Sequence, residues 1–352
     1  MDPDKIFIMA RKEKNSIRNA GKASMPIDAV IAWVDGDDPE HRKKMAPYLG
    51  SSFIDVPGMD PTRFTSVNEI RYCLLSIYAF APFVRNVYVV TDNQDPGLYD
   101  DIKTYFPDRL ASFRIVDHKE IFRGYEEYLP MFNSRAIETM LWRIEGISDS
   151  FIYFNDDTFL IRKVSPEDFF VAGKPVLRGN WIPAPYPRIW WNSLRSWVKK
   201  KVFSDGNYHP KPSYHLGQWS AARLAGFRWR YFYFNHTPYS FSCKTAKKCF
   251  DNQESAIRKN ISYRFRNHEQ FNFNSLLYHT EIKSGNRLFE SPSVIYMTPY
   301  KRGEDYIPRK LKKSTQKSQP RFMCVQSLDK SPVADQKKIF DWLEEKLNLQ
   351  PA

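Results

Sequence analysis

The sequence predicts an α/β protein with a mostly parallel sheet flanked by helices, and three segments carry that prediction. Phe151-Ile152-Tyr153-Phe154 is an apolar run that ends in Asn155-Asp156-Asp157. Ile27 to Val34 is a second run, followed by Asp35-Gly36-Asp37-Asp38-Pro39. Val87-Tyr88-Val89-Val90 is a third, ending in Thr91-Asp92-Asn93-Gln94-Asp95-Pro96. Short runs without polar alternation suit strands buried on both faces, as in a parallel sheet. Laid parallel, they gather acids and amides at one edge, where ligands bind in open α/β sheets.

The elements follow in order. Residues 1–25 form a basic N-terminal tail, and an α/β core occupies 26–175. Between the first two strands, Glu69 to Phe80 has helical spacing of Ile70, Cys73, Leu74 and Ile77. Asn68 is the expected N-cap and Ala81-Pro82 the stop. Strand, helix, strand is the grammar of a parallel sheet. Ser134 to Arg143 reads as a second helix, with Ala136, Ile137, Met140 and Leu141 inward. Residues 176–303 change texture: Pro183, Pro185 and Pro187 interleave with Trp181, Tyr186, Trp190, Trp191 and Trp197. This predicts an aromatic, loop-rich subdomain that also completes the core. Its indoles suit either sugar stacking or a proline-braced core. Residues 304–320 read as a basic linker or membrane-facing segment, and 321–352 as a closing segment with an amphipathic helix over Gln336–Leu347.

A net charge of +13 arises from 53 Lys and Arg against 40 Asp and Glu over 352 residues. A diphosphate-bearing nucleotide sugar, an anionic glycan or an anionic inner leaflet would each exploit it. Nucleic acid is not expected, because acids crowded at strand ends would repel a phosphate backbone. No apolar run is long enough to span a membrane or serve as a signal peptide. The four cysteines lack zinc-finger spacing. They read as reduced thiols of a cytoplasmic protein rather than as a disulfide framework.

Several residues are candidates for chemistry. Asp156 and Asp157 repel one another unless a cation, a proton or a sugar hydroxyl uses them. The alternative is a turn capped by Asp beside Thr158. Asp35 sits beside Gly36, which permits close backbone approach of a ligand. Asn133 is an N-cap or a ligand contact. Arg264 and Arg266, two apart, would share one side of a strand and could clamp phosphate, against a reading as plain surface charges. Arg71 is either a further phosphate ligand or an ion-pair partner of Glu69 or Glu138. His236 alone reads as a packed core histidine. Glu269 and Asp329 are candidate Mg²⁺ or Mn²⁺ ligands, as is the Asp156–Asp157 pair.

These segments also resemble a family. Ile27 to Pro39 resembles the opening block of the Stealth sugar-1-phosphate transferases. Asn68-Glu69-Ile70-Arg71-Tyr72 through Asp95-Pro96, with Asn133-Ser134-Arg135 and Phe151 to Leu160, resembles their second block. His236-Thr237-Pro238 with Arg264-Phe265-Arg266 is similar to the third. Where the last block typically reads Cys-x-Asn-Asp, this chain has Cys324-Val325-Gln326-Ser327. Phe132 and Trp142 stand where the family often has His. The resemblance implies a Rossmann-like fold of the nucleotide-sugar transferase type. It implies transfer of a hexose- or hexosamine-1-phosphate from a UDP-sugar, such as UDP-GlcNAc, to a glycan hydroxyl with release of UMP, in capsular or cell-surface polysaccharide synthesis. It favours Asp157 as base or sugar ligand, Asp156 as its support, His236 in proton transfer, Arg264 and Arg266 on phosphate, and Asp35, Gly36, Asn133 and Asn155 on the donor. The rivals are an ordinary metal-dependent glycosyltransferase releasing UDP and a non-catalytic glycan- or membrane-binding protein.

Overall fold

A computed structural model describes residues 25–49, 66–201, 210–315 and 320–349. Nearly all of the N-terminal tail expected over 1–25 lies outside them. The central sheet holds β1 (Ile27–Ala32), β2 (Val84–Thr91), β3 (Phe113–Asp117) and β4 (Ser150–Asn155), all parallel, in the order β4-β1-β2-β3. The three acid-tipped runs are therefore parallel neighbours, as their sequences predict. A fifth strand, Tyr239–Ser242, pairs antiparallel with β4 and closes that edge.

Alternation explains why these runs lack polar positions. Ala29, Ile31, Val87, Val89, Ile152 and Phe154 face one core. Val30, Tyr88, Val90, Phe151 and Tyr153 face another. The first core is covered by Ile70, Cys73, Leu74 and Ile77 from helix α1 (Glu69–Phe80) and by Ile339, Leu343 and Leu347 from the C-terminal helix Val333–Leu347. The second is covered by Ala136 and Met140 from α2 (Ser134–Met140) and by Leu276 and Leu277 from the helix Phe273–Lys283. Each fully buried aliphatic or aromatic side chain contributes about 1.5–3 kcal/mol.

Helix α1 has the bounds expected, but Asn68 does not cap it through its side chain. Asn68 is left-handed (φ 72°), and Glu69 instead accepts from the Val67 amide at 2.8 Å. Helix α2 ends at Met140 and a 3-10 turn carries on to Arg143.

Residues 176–303 are helix-rich rather than loop-rich. They include α3 (Tyr186–Lys201), α4 (Tyr214–Leu224) and three further helices, and they return a strand to the central sheet. Trp181 belongs to the packing, against Phe227, Phe232 and Phe289. The basic stretch 304–320 is not a free linker where it is described. Tyr306–Leu311 is helical, Tyr306 and Ile307 are buried, and Lys310 donates to the Tyr296 carbonyl at 2.7 Å. Phe322–Val325 pairs with Thr158–Leu160 just beyond β4, which brings Gln326 and Ser327 to the sheet's carboxyl edge.

Candidate active site

The carboxyl ends of β1 and β4 open onto a cavity of about 790 Å³. Its wall includes Trp33 and Val34 after β1, Asn155, Asp156 and Asp157 after β4, and Ser134 and Glu138 from α2. Arg135, Tyr214, His236, Arg266, Asn272, Asn274, Tyr296 and Gln326 are among its other polar residues.

The acid pair sits in a tight turn between β4 and the strand Thr158–Leu160. The turn is pinned by the Val325 amide donating to the Asp157 carbonyl at 3.0 Å. Burial pushes the Asp157 carboxyl up to about 6, moderated by the Thr158 hydroxyl and the Cys324 thiol. Burial, the Asp157 charge and then the Glu69 charge push Asp156 well above the usual carboxylate range. Glu69, at the start of α1, is itself raised to about 7, mainly by burial, with Asp157 and Asp329 adding to it. Of the two, Asp156 is pushed further towards its protonated form than Asp157.

His236 lies between two tyrosine rings. Tyr214 stacks at 4.7 Å between centroids and Tyr296 at 6.0 Å. Its Nε2 faces the Gln326 amide nitrogen at 3.2 Å. Burial, then the nearby Arg266 charge, lowers it to about 4. It is therefore neutral at pH 7. The Arg266 guanidinium donates to the Ser134 hydroxyl, and burial lowers its pKa while Glu138 opposes that. Glu138 accepts from Asn274 at 2.8 Å. Burial raises its pKa, against the pull of Arg266.

Of the residues singled out from sequence, Asn155, Asp156, Asp157, His236 and Arg266 meet in this cavity. The others lie elsewhere. Residues 263–266 are not a strand, so the two-apart rule does not apply. Arg264 turns away to the Leu129 carbonyl at 3.1 Å and lies over the Tyr48 ring. Arg71 is bound to Asp101 at 2.9 Å and to Glu344, not to Glu69 or Glu138. Asn133 caps α2 through the Arg135 amide and donates to the Tyr263 and Phe265 carbonyls and to Gln270. It thereby holds the loop that carries Arg266. Asp35 and Gly36 build the turn after β1, through Asp37, Gln94 and Arg42. Glu269 is on the surface, paired with Tyr263 and Lys259. Asp329 follows the cavity residue Ser327 by two positions, outside the lining, and its charge reaches Glu69.

Reading the sequence missed Glu138, Asn272, Asn274, Tyr214 and Tyr296. Ser134, Ile137 and Glu138 share one helical face at i, i+3 and i+4, and that spacing was the available signal for Glu138. Of the departures from the family pattern, Phe132, Gln326 and Ser327 line the cavity, whereas Trp142 packs against Phe250. At the same wall His118 is buried with neither ring nitrogen hydrogen-bonded among the described residues. Burial lowers it to about 4.

An α/β protein with acids, two arginines (Arg135 and Arg266) and a neutral histidine at the carboxyl edge of a parallel sheet belongs, by fold and site, among proteins that bind ligands there. Residues 25–52 match Stealth protein CR1, conserved region 1, and residues 63–176 match Stealth protein CR2, conserved region 2. The chain thus carries the first two conserved regions of the Stealth proteins. It is 43% identical over 151 residues to an exopolysaccharide phosphotransferase of Streptomyces coelicolor, covering 43% of this chain and 26% of that protein. It is 36% identical over 162 residues to a capsular polysaccharide phosphotransferase of Actinobacillus pleuropneumoniae, covering 46% of this chain and 40% of that protein. The matched stretch spans well under half the length of either relative. A galactosyltransferase, LgtC, solved with donor and acceptor sugar analogs aligns over 92% of this chain and 97% of its own at 10% identity, with a TM-score of 0.43.

Proposed function

We propose that this cavity transfers a hexose- or hexosamine-1-phosphate from a UDP-sugar, UDP-GlcNAc or a relative of it, to a hydroxyl of an anionic glycan in capsular or exopolysaccharide synthesis. The observation that supports it most is the convergence of Arg266, His236 and the Asp156–Asp157 pair on one cavity, next to regions shared with named phosphotransferases.

In this reading the acceptor oxygen attacks the β-phosphorus of the donor. The bond from that phosphorus to the bridging oxygen breaks, and UMP leaves with the electron pair. Asp157 takes the acceptor's proton, while neutral His236 orients the acceptor or donor through a hydrogen bond. Arg266 binds phosphate oxygens through its planar fork. Phosphoryl transfer depends mostly on such positioning and charge neutralisation. Asn155, Asn272 and Asn274 offer hydrogen bonds to sugar hydroxyls.

The acid pair fits a divalent cation. Burial raises both carboxyls and neighbouring acid charge raises Asp156 further, a positive charge opposes both effects, and Mg²⁺ needs only one or two protein carboxylates. No group of three or more His, Cys, Asp or Glu poised for a metal occurs among the described residues. Bound there, Mg²⁺ or Mn²⁺ would neutralise charge on the donor diphosphate. The four cysteines are free thiols, which supports a reducing, cytoplasmic setting.

The test is product analysis with a panel of UDP-sugars and a glycan acceptor. The proposal expects UMP and a phosphodiester signal in the product by ³¹P NMR. UDP with no phosphorus in the glycan would establish an ordinary glycosyltransferase instead. Glycan binding without turnover of any donor would leave a binding protein.

A further inference from the structure

Helix α3 is built inside out. Its sequence, YPRIWWNSLRSWVKKK, has no acidic residue. Ile189 packs against the buried cluster of Trp219 and Tyr231. The large apolar side chains point the other way: Trp190 is 66% exposed, Trp191 59% and Trp197 57%, and Leu194 is exposed beside them. Trp190, Leu194 and Trp197 are spaced i, i+4 and i+7, so they form one stripe along the helix. Three indoles about three-fifths exposed leave on the order of 300 Å² of aromatic surface in water. A contiguous patch of that size on a monomer usually marks an interaction surface.

The surroundings of the stripe identify the partner. Arg188, Arg195 and Lys201 are exposed on the same helix, and the chain carries +13 overall. A second copy would set these cations against their own kind. An anionic lipid surface complements them, and tryptophan's amphipathic ring favours the headgroup region. At 16 residues the helix is too short to cross a bilayer, and no helix among the described residues is long and apolar enough to do so. A basic, tryptophan-rich helix of this kind lies in the interface plane.

We propose that α3 is an interfacial anchor that lays Trp190, Trp191, Leu194 and Trp197 into the headgroup layer of an anionic bilayer. The helix adjoins the cavity rim: Arg188 approaches the Ser213 hydroxyl at 3.4 Å, and the flanking Pro212 and Tyr214 both line the cavity. Docking through α3 therefore holds the cavity beside the lipid surface, where a membrane-bound acceptor would present its hydroxyls. The inference rests on α3 and not on the reaction proposed above. The membrane-facing role expected of 304–320 passes to this helix.

Co-sedimentation of the full chain with vesicles tests it, comparing pure phosphatidylcholine with phosphatidylcholine doped with phosphatidylglycerol. Binding to the doped vesicles, a blue shift of tryptophan emission and weakening by salt are expected. W190A/W197A should lose at least about tenfold in vesicle affinity, and R195E/K201E a similar factor. Both should keep the wild-type circular dichroism and melting temperature, because the altered side chains are exposed. Failure of the wild type to bind doped vesicles would overturn the proposal. So would undiminished binding by folded W190A/W197A, or a concentration-dependent dimer that the tryptophan changes abolish without any vesicle binding.

Discussion

The two ends of the parallel sheet treat carboxylates in opposite ways. At the amino edge Asp28 is fully buried in β1, yet its carboxylate is surrounded by hydrogen-bond donors. Arg85 grips it with two bonds, at 2.9 and 2.7 Å, and the amides of Asn86 and Ser148 add two more at 3.1 and 2.7 Å. This single acid ties together the starts of β1 and β2 and the approach to β4. At the carboxyl edge Asp156 and Asp157 face a cavity; burial raises both, and the charges of Asp157 and Glu69 raise Asp156 further. A satisfied buried acid holds the fold together. An acid crowded by its own kind beside an open cavity awaits a ligand, a proton or a cation.

The largest effect that can break this contrast is on stability. Asp28→Ala should lower unfolding free energy by about 3 kcal/mol, the low end for breaking a buried pair because Arg85 itself reaches solvent. Turnover per folded molecule should be kept. Denaturant melts alongside activity normalised to folded protein would check both. A fully stable Asp28→Ala would show that the amino-edge acid does not hold the strands.

Next comes the carboxyl edge, where the signs reverse. Asp157→Asn should cut kcat by roughly 10²-fold or more, the scale of lost general base catalysis. Its melting temperature should hold or rise, since the substitution removes a carboxylate whose charged form burial disfavours. In the wild type the rising limb of kcat against pH should report an apparent pKa near 6 that belongs to the pair. If both Asp157→Asn and Asp156→Asn melt early and stay fully active, the turn is structural and the contrast fails.

The two arginines of Arg264-Phe265-Arg266 sharpen the comparison at smaller scale. Arg266→Ala should lose roughly 1.5–3 kcal/mol of transition-state binding, about 10- to 150-fold in kcat/KM. Lys should rescue it poorly. Arg264→Ala should instead leave kcat/KM near wild type and melt slightly earlier, because its partners are the Leu129 carbonyl and the Tyr48 ring. Equal kinetic losses in both variants would return Arg264 to the site.

These contrasts mark how far the sequence was legible. The three strand ends were readable because parallel strands buried on both faces leave a local, uninterrupted pattern, and α1 because its apolar spacing is regular. Long-range pairing was not. Arg71 finds Asp101 and Glu344, the second 273 residues away, and nothing near Arg71 in sequence signals that. The loop holding Arg264 and Arg266 was misread as a strand because two basic residues around an aromatic mimic alternation. Its true shape is set by Asn133, more than 130 residues earlier. Helix α3 was hidden by its prolines and by a stripe that faces outward.

The last expected effect is a pH dependence of stability that originates at the same edge. Burial raises Glu69 from an ordinary 4.5 to about 7, so the folded state binds its proton more tightly than the unfolded state does. Stability must therefore fall as pH rises from about 4.5 to about 7, and level off above that. Asp157 adds a fall over a lower window, from about 3.8 to about 6. Glu69→Gln cannot ionise, so its melting temperature should lose much of the decline between pH 5 and 7 and exceed wild type at pH 8 under matched salt. A fully satisfied acid such as Asp28 offers no such gain on neutralisation. If wild type and Glu69→Gln melt in parallel across this range, Glu69 is not held protonated, and the crowding inferred for the carboxyl edge does not extend to α1.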